Sequence, residues 1–519
     1  MTRPFLSLVL MTVSGVLLFS ATAPAQLTLP SASRGRSRPE QLPISGPGQA
    51  GSVTTGQATA PAEGGVSVNT LNSSIRIQGP FQGSTPAGTV STEPLSLPLD
   101  EAIRRGITYN LGVIGALQTE RFARAQRLAA LAQLLPDLNG TATMAVEKTS
   151  LATVGLQTAR QVPGLEFARV LGPFNFFDVG AVLSQTVFDL TALRNYRSTK
   201  ELALATKLNV RDSRDLVILA VGGSYLQTVA TAARVDSARA QVETAQVLYD
   251  QAVNQNKAGL NALIDVNRSQ VELQTQRLRL ISLETDLVSQ KLVLGRLIGL
   301  PLGQSFTLTT MLKYRPVSPM PLEHALTQAF ESRPDLQAAE AQVRAAMQAR
   351  KAADAQNTPA VTFNGSYLLA GVNPGQANGV FSFFATLDFP IWRGGRIQAD
   401  IAQADAVLSQ RRAEYEDIYG RVDFEVRDAF LRLNAANAQV TVAENNRMLA
   451  QDTLRQARDR FGAGIADTIE VVQAQESVAA AEQDYISGLY AHYLARLSLA
   501  RATGDAETGI AGLLLQSGP

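Results

Sequence analysis

Residues 381–391 read Phe381-Ser382-Phe383-Phe384-Ala385-Thr386-Leu387-Asp388-Phe389-Pro390-Ile391. Phe381, Phe383, Ala385, Leu387, Phe389 and Ile391 share one parity, with Ser382, Thr386 and Asp388 on the other. Successive side chains of a strand point to opposite faces, so this period of two predicts a strand with one apolar and one polar face. Three further segments alternate alike. Leu138–Val146 is apolar at Leu138, Gly140, Ala142, Met144 and Val146, with Asn139, Thr141 and Thr143 between. Phe177–Val187 is apolar at Phe177, Val179, Ala181, Leu183 and Val187. Val361–Leu369 is apolar at Val361, Phe363, Gly365, Tyr367 and Leu369, against Thr362, Asn364 and Ser366.

Residues 174–188 and 363–392 hold nine of the 19 Phe and the only Trp, Trp392. Strands of roughly 9–13 residues, two-faced and flanked by aromatics, suit a transmembrane barrel. A small water-soluble sandwich with its apolar faces inward has the same alternation, but long helices elsewhere leave nothing obvious to cover four such strands. Four strands cannot close a barrel, because the smallest membrane barrels use about eight. An open edge in lipid would strand unpaired N–H and C=O groups. Membrane-spanning strands of this number therefore require several subunits sharing one barrel.

The flanking sequence is helical. No proline occurs between Pro173 and Pro301 or between Pro390 and Pro519, and Ala, Gln, Arg, Leu and Glu dominate both windows. Residues from about Thr191 to Lys257 and from about Arg396 to Phe461 each read as one helix, about 100 Å long at 1.5 Å per residue. Each ends in a glycine-bearing turn, Lys257-Ala258-Gly259 or Phe461-Gly462-Ala463-Gly464, and a shorter antiparallel helix returns to about Gly299 or Gly504. Leu216–Ala233 carries no charge and has the composition of a membrane span. Its counterpart Val426–Ala443 carries Arg427, Asp428 and Arg432. Two copies of one unit share a solvent, so both are expected as water-exposed helices with an apolar packing face.

The duplication is visible in register. Pro98-Leu99-Asp100-Glu101-Ala102-Ile103 answers to Pro321-Leu322-Glu323-His324-Ala325-Leu326, and Pro136 to Pro359. Ser224-Tyr225-Leu226 answers to Ala429-Phe430-Leu431, Ala258-Gly259 to Ala463-Gly464, Asp265-Val266 to Glu470-Val471 and Gly299 to Gly504, at one constant offset. The expected fold is mainly α with a small transmembrane β part, built from tandem-duplicated, long antiparallel helical hairpins. The first repeat spans 95–305, with strands about 137–147 and 175–188 and a long helix about 191–257. A linker covers 306–319. The second repeat spans 320–505, with strands about 360–369 and 380–391 and a long helix about 396–461, followed by a tail at 506–519.

Before the repeats, residues 1–25 read as a signal peptide: Arg3, an apolar Phe5–Phe19, and Ala23-Pro24-Ala25 before Gln26. About 15 apolar residues are too few to span a bilayer, and no Cys follows to take a lipid anchor. Residues 26–94 are rich in Pro, Gly, Ser and Thr and are expected as a disordered extension.

Composition narrows the function classes. The chain has 519 residues, 46 Lys+Arg against 45 Asp+Glu, two His and no Cys. Disulfides, thiolate metal sites and thiol catalysis are excluded, and His324 and His492 lie too far apart in sequence to suggest a polyhistidine site. A net charge of +1 gives no reason to expect nucleic acid as a partner. There is no G-x-S-x-G, H-E-x-x-H or P-loop, so neither enzyme activity nor a cofactor is expected.

Secretory signal, tandem repeat, two strands per repeat, and Arg460-Phe461-Gly462-Ala463-Gly464 followed by Ile469-Glu470-Val471-Val472-Gln473-Ala474 together resemble the TolC-like outer-membrane efflux proteins. The resemblance covers about residues 95–505. It implies a homotrimer in the outer membrane of a Gram-negative-type bacterium. Four strands per chain would form a shared 12-stranded β-barrel in lipid, and the hairpins an α-barrel across the periplasm. It also implies docking onto a periplasmic adaptor and an inner-membrane pump, as the exit duct of a tripartite efflux or type I secretion system.

Position by position, the resemblance puts Glu470 at the first acid of a periplasmic gate ring and Asp265 at its match in the first repeat. Gln473 stands where the family has a second ring acid, Phe461 where it often has Tyr, and Ala466 where it has a basic residue. The turns bearing Gly259, Leu260, Gly462 and Gly464 would contact the adaptor. Asp265 and Glu470 also read as solvated acids favoured in the first turn of a helix. The rival architecture is a periplasmic coiled-coil adaptor or scaffold without a membrane barrel.

Overall fold

The computed structural model describes residues 37–44, 51–59, 71–150, 170–259, 262–310, 313–316, 321–463, 465 and 468–507. The proposed signal peptide and the tail beyond 507 lie outside them. In chain order the first part runs β1 (Val53–Thr59), β2 (Leu71–Ile77), β3 (Leu95–Leu97), α1 (Leu99–Tyr109), α2 (Leu111–Ala132), β4 (Asp137–Ser150), β5 (Val170–Phe188), α3 (Leu190–Lys257) and α4 (Leu263–Leu297). The second runs β6 (Phe306–Leu308), α5 (Leu322–Ser332), α6 (Pro334–Asp354), β7 (Ala360–Gly371), β8 (Asn378–Asp388), α7 (Arg396–Gly462) and α8 (Thr468–Ala502). The chain divides into two compact units: Met1–Glu40, Leu128–Tyr196 and Lys351–Asp400, and Gln41–Arg127, Arg197–Arg350 and Ile401–Pro519.

The first unit holds a four-stranded antiparallel sheet in the order β4-β5-β7-β8. Each repeat contributes one hairpin, and β5 pairs with β7 to join the two. The register aligns the parities: Leu138 pairs with Leu183, Leu183 with Gly365 and Gly365 with Phe383. All four apolar faces read from the sequence thus lie on one side of one sheet. β8 stops at Asp388, three residues short of the expected end, because Pro390 has no N–H to give a ladder. Phe389, Ile391 and Trp392 follow it as exposed side chains. At the start of α3, Asp189 caps the helix, its Oδ1 accepting the Ala192 N–H at 3.0 Å while Oδ2 accepts the Ser37 N–H at 3.2 Å.

The second unit is helical, with its main core around residues 216–230 of α3. Leu216–Ala220, Val221, Tyr225 and Leu226 are buried against Ala102 and Ile103 of α1, Leu294 and Leu297 of α4, and Leu494 and Leu497 of α8. This corrects the expected apolar packing face on a water-exposed helix. An apolar window of α3 long enough to cross a membrane is 83 % buried inside the protein, as a helix apolar all round should be. Gly222 and Gly223 allow the enclosure: a Cβ would fall 2.7 Å from Leu497 Cδ2 at Gly222 and 2.5 Å from Ile75 Cδ1 at Gly223.

Ile75 belongs to a segment expected to be disordered, and that expectation fails over Val53–Thr59 and Leu71–Ile77. β1 and β2 pair antiparallel, Val53 is buried, and Ile75 and Ile77 pack on the main core. Arg432 of α7 donates to the Thr55 carbonyl at 3.2 Å. Contacts to helices hundreds of residues away stabilise what local composition cannot. The expected linker 306–319 likewise contains a strand, β6, paired in parallel with β3. The Tyr225 hydroxyl donates to the Leu97 carbonyl at 2.9 Å and lies 3.0 Å from the Thr310 hydroxyl.

The repeat offset also marks the junction between paired helices. Asn110, between α1 and α2, is fully buried, and its Oδ1 accepts the Gly112 N–H at 2.9 Å. Its counterpart Arg333, between α5 and α6, is 1 % exposed. Arg333 donates to Asp335 at 2.6 Å and to Glu425 of α7 at 2.6 Å. Glu425 also accepts from Arg501 of α8, which pairs with Asp212 of α3 at 3.2 Å.

Candidate functional site

The sheet has inverted polarity. Met144 is 74 % and Phe381 71 % exposed, while on the opposite face Asp178 is fully buried and Asn364 is 3 % exposed. Phe363 and Phe383 stack on the exposed side with ring centroids 6.1 Å apart. A sheet in water buries its apolar face, whereas a sheet in lipid exposes it. Among the described residues β4 and β8 each have one partner, so both sheet edges are open.

The second feature comprises the turns that join the long helices. Asp265 lies in the first turn of α4, its Oδ1 3.7 Å from Arg268 of the same helix. Glu470 lies in the first turn of α8 and pairs across the turn with Arg460 of α7 at 3.2 Å, both side chains about half exposed. The two acids are equivalent by repeat yet held differently, one by its own helix and one by its hairpin partner. Gln473 is exposed.

Phe461 is 5 % exposed and packs with Leu248 of α3, Leu454 and Ala457 of α7, and Val471 and Ala474 of α8. Its ring ties α3 to the second hairpin, a role its sequence neighbourhood did not reveal. Gly259 has φ 75°, the left-handed backbone that suits glycine at a helix end. Gly462 closes α7; the Ala463 N–H bonds to the Asp459 carbonyl at 3.0 Å and the Ile465 N–H to the Arg460 carbonyl at 2.9 Å. Leu260, Gly464 and Ala466 lie outside the described residues. Among the described residues no group of three or more His, Asp or Glu is placed to hold a metal.

The junction ions Arg333, Glu425, Arg501 and Asp212 escaped the sequence reading. The available signal was positional, since Arg333 falls at the repeat counterpart of Asn110. Beside them, burial and the neighbouring Asp212 push the Asp215 carboxyl up to about 7, against a partial offset from Arg501.

An apolar face turned to the surroundings and two long helical hairpins define a class: a mainly helical protein carrying a small sheet with its apolar side outward. The sequence profile described as "Outer membrane efflux protein" matches residues 115–300 and 325–505, one segment per repeat. The cation efflux system protein CusC of Escherichia coli O6:H1 is 23 % identical over 319 residues, 60 % of this chain and 67 % of that protein. The Campylobacter jejuni CmeC outer membrane channel shares the fold, with a TM-score of 0.69, 15 % identity and coverage of 88 % of this chain and 98 % of that one. A membrane protein from Pseudomonas aeruginosa also has a TM-score of 0.69, at 20 % identity over 81 % of this chain and all of that one. The chain belongs to the outer membrane efflux protein family. Its location is the outer membrane, with the helical part in the periplasm.

Proposed function

We propose that three copies of this chain assemble into a passive outer-membrane export conduit. Each chain contributes β4, β5, β7 and β8 to a shared barrel of 12 strands, and its helical hairpins to a tunnel across the periplasm. The observation that carries this reading is the open four-stranded sheet with its apolar face outward. Joining β4 of one copy to β8 of the next removes every free edge, and the polar face then lines a water-filled passage. A soluble coiled-coil adaptor has no use for such a face.

The turns at Gly259–Leu260 and Gly462–Gly464 meet a periplasmic adaptor, and an inner-membrane pump supplies the energy. The chain performs no covalent chemistry and serves as the exit duct of a tripartite efflux or type I secretion system. Asp265, Glu470 and Gln473 line the periplasmic opening, and Phe461 anchors its helix ends. Opening is an iris-like shift of these ends, biased by the adaptor, in which the Arg460–Glu470 pair stretches or breaks. Fractionation followed by planar-bilayer recording tests the reading. Outer-membrane recovery and discrete ion conductance are expected; recovery in the soluble periplasm would contradict it.

A further inference from the structure

Between α3, α4, α7 and α8 of the helical unit lies a cavity of about 470 Å³, within the range of small-molecule sites. Leu454, Val478, Ile486 and Leu489 make an apolar wall. Gln276 and Gln475 also line it, 3 % and 8 % exposed, and among the described residues the Oε1 of each accepts no hydrogen bond. The Gln276 amide nitrogen is already committed, donating to Glu272 Oε1 at 2.7 Å and to Glu476 Oε1 at 3.4 Å.

The charges on the walls are unequally matched. Arg447 lies over the Tyr485 ring at 4.3 Å and 3.9 Å from Glu482, which also accepts from Gln451 at 2.8 Å. Glu272 has no ion pair among the described residues, and burial raises its carboxyl above the usual range, with Glu476 adding to the rise and the Gln276 hydrogen bond and the Arg279 charge partly offsetting it. The cavity thus offers two buried amide acceptors and an acid held by an amide hydrogen bond, beside apolar side chains. Two acceptors without donors, beside a carboxylate that makes no ion pair among the described residues, suit a positively charged N–H donor.

We propose that this cavity binds a small amphipathic organic cation, a primary ammonium or amidinium on an apolar body, one per chain. Its N–H groups meet Gln276 Oε1, Gln475 Oε1 and Glu272, and its apolar body lies on Leu454, Ile486 and Leu489. The ligand touches both helical hairpins and therefore holds them together. Binding is independent of the export reading, since it is measured without transport.

The test is equilibrium dialysis of the full-length protein in nanodiscs against 4-phenylbutylamine, with 4-phenylbutanol and 4-phenylbutyrate as neutral and anionic counterparts. Saturable uptake of one amine per chain is expected, with the alcohol at least about tenfold weaker and the acid weaker still. Glu272→Gln should weaken the amine about tenfold, and Ser237→Trp, which fills the cavity from α3, should abolish saturable uptake. Circular dichroism of both variants confirms that they fold. Equal, non-saturating partition of amine and alcohol, or saturable amine binding unchanged in both folded variants, overturns the proposal.

Discussion

Phe383 and Phe384 are adjacent, chemically identical and on opposite faces of β8. Phe383 belongs to the rung Leu138–Leu183–Gly365–Phe383 on the exposed apolar side, and Phe384 to the rung Asp137–Ser184–Asn364–Phe384 on the other. Replacing each in turn with arginine removes the same side chain and adds the same charge, so only the side of the sheet differs. Near the middle of a lipid-facing strand an arginine costs about 2–4 kcal/mol. Loss of the Phe363–Phe383 stack adds about 0.5–1.5 kcal/mol. The expected cost of Phe383→Arg is therefore about 2.5–5.5 kcal/mol per chain, or about 8–16 kcal/mol in a three-copy barrel. Phe384→Arg places its charge beside Asn364 and Ser184 on the polar face, which lines the proposed passage, and should cost about 1 kcal/mol or less. The assay is the amount of folded protein in the outer-membrane fraction, with its melting temperature on semi-native gels. Equal losses for the two variants, or a larger loss for Phe384→Arg, would refute the assignment of faces.

Arg333→Ala leaves the half-buried Asp335 without its forked partner and Glu425 with Arg501 alone, and should lower the stability of the helical unit by about 3 kcal/mol, the low end for a broken buried pair, read by chemical denaturation with circular dichroism. Arg333→Lys should recover only part of it, because an ammonium cannot fork to two carboxylates as a guanidinium does. Asp215 titrates near 7 in the folded chain and near 3.8 unfolded. Between those values the folded state holds a proton that the unfolded state has released, so stability falls as pH rises and levels off above about 7. Asp215→Asn should therefore raise the melting temperature by an increment that widens from pH 4 to pH 7.5; a constant increment would contradict this. Glu470→Ala removes a half-exposed ion pair worth about 0.2–1 kcal/mol, so melting should barely change while cation selectivity in planar-bilayer recordings falls. Unchanged selectivity removes Glu470 from the opening.

The strands and their faces were legible because alternation is a local property: Phe381, Phe383 and Leu387 share a side whatever else the chain does. The long helices were legible for the same reason, through composition and the placement of Pro173, Pro301 and Pro390. What escaped depends on distant partners. β1 and β2 look too rich in Gly, Ser and Thr to order, and their partners Gly223 and Arg432 lie far along the chain. Phe461 was placed at the opening by resemblance, and its packing on Leu248 of α3, more than 200 residues earlier, could not be read from its neighbours in sequence. The enclosure of Leu216–Leu226 is not legible from its repeat partner Val426–Ala443, because that segment is covered on fewer sides.

The central claim is that open sheet edges are joined between copies, and the absence of native cysteine makes it directly measurable. Within one chain β4 and β8 are separated by two strands, about 14 Å at the usual spacing, beyond the roughly 4.4–6.8 Å Cα separation of a disulfide. Thr141→Cys on β4, combined in turn with Ser382→Cys, Phe384→Cys or Thr386→Cys on β8, can therefore cross-link only between chains. After mild oxidation in intact outer membranes, at least one pair should give a ladder of two- and three-chain bands that stops at three. A ladder that runs past three, or chains that stay single in every pair, would contradict the shared barrel.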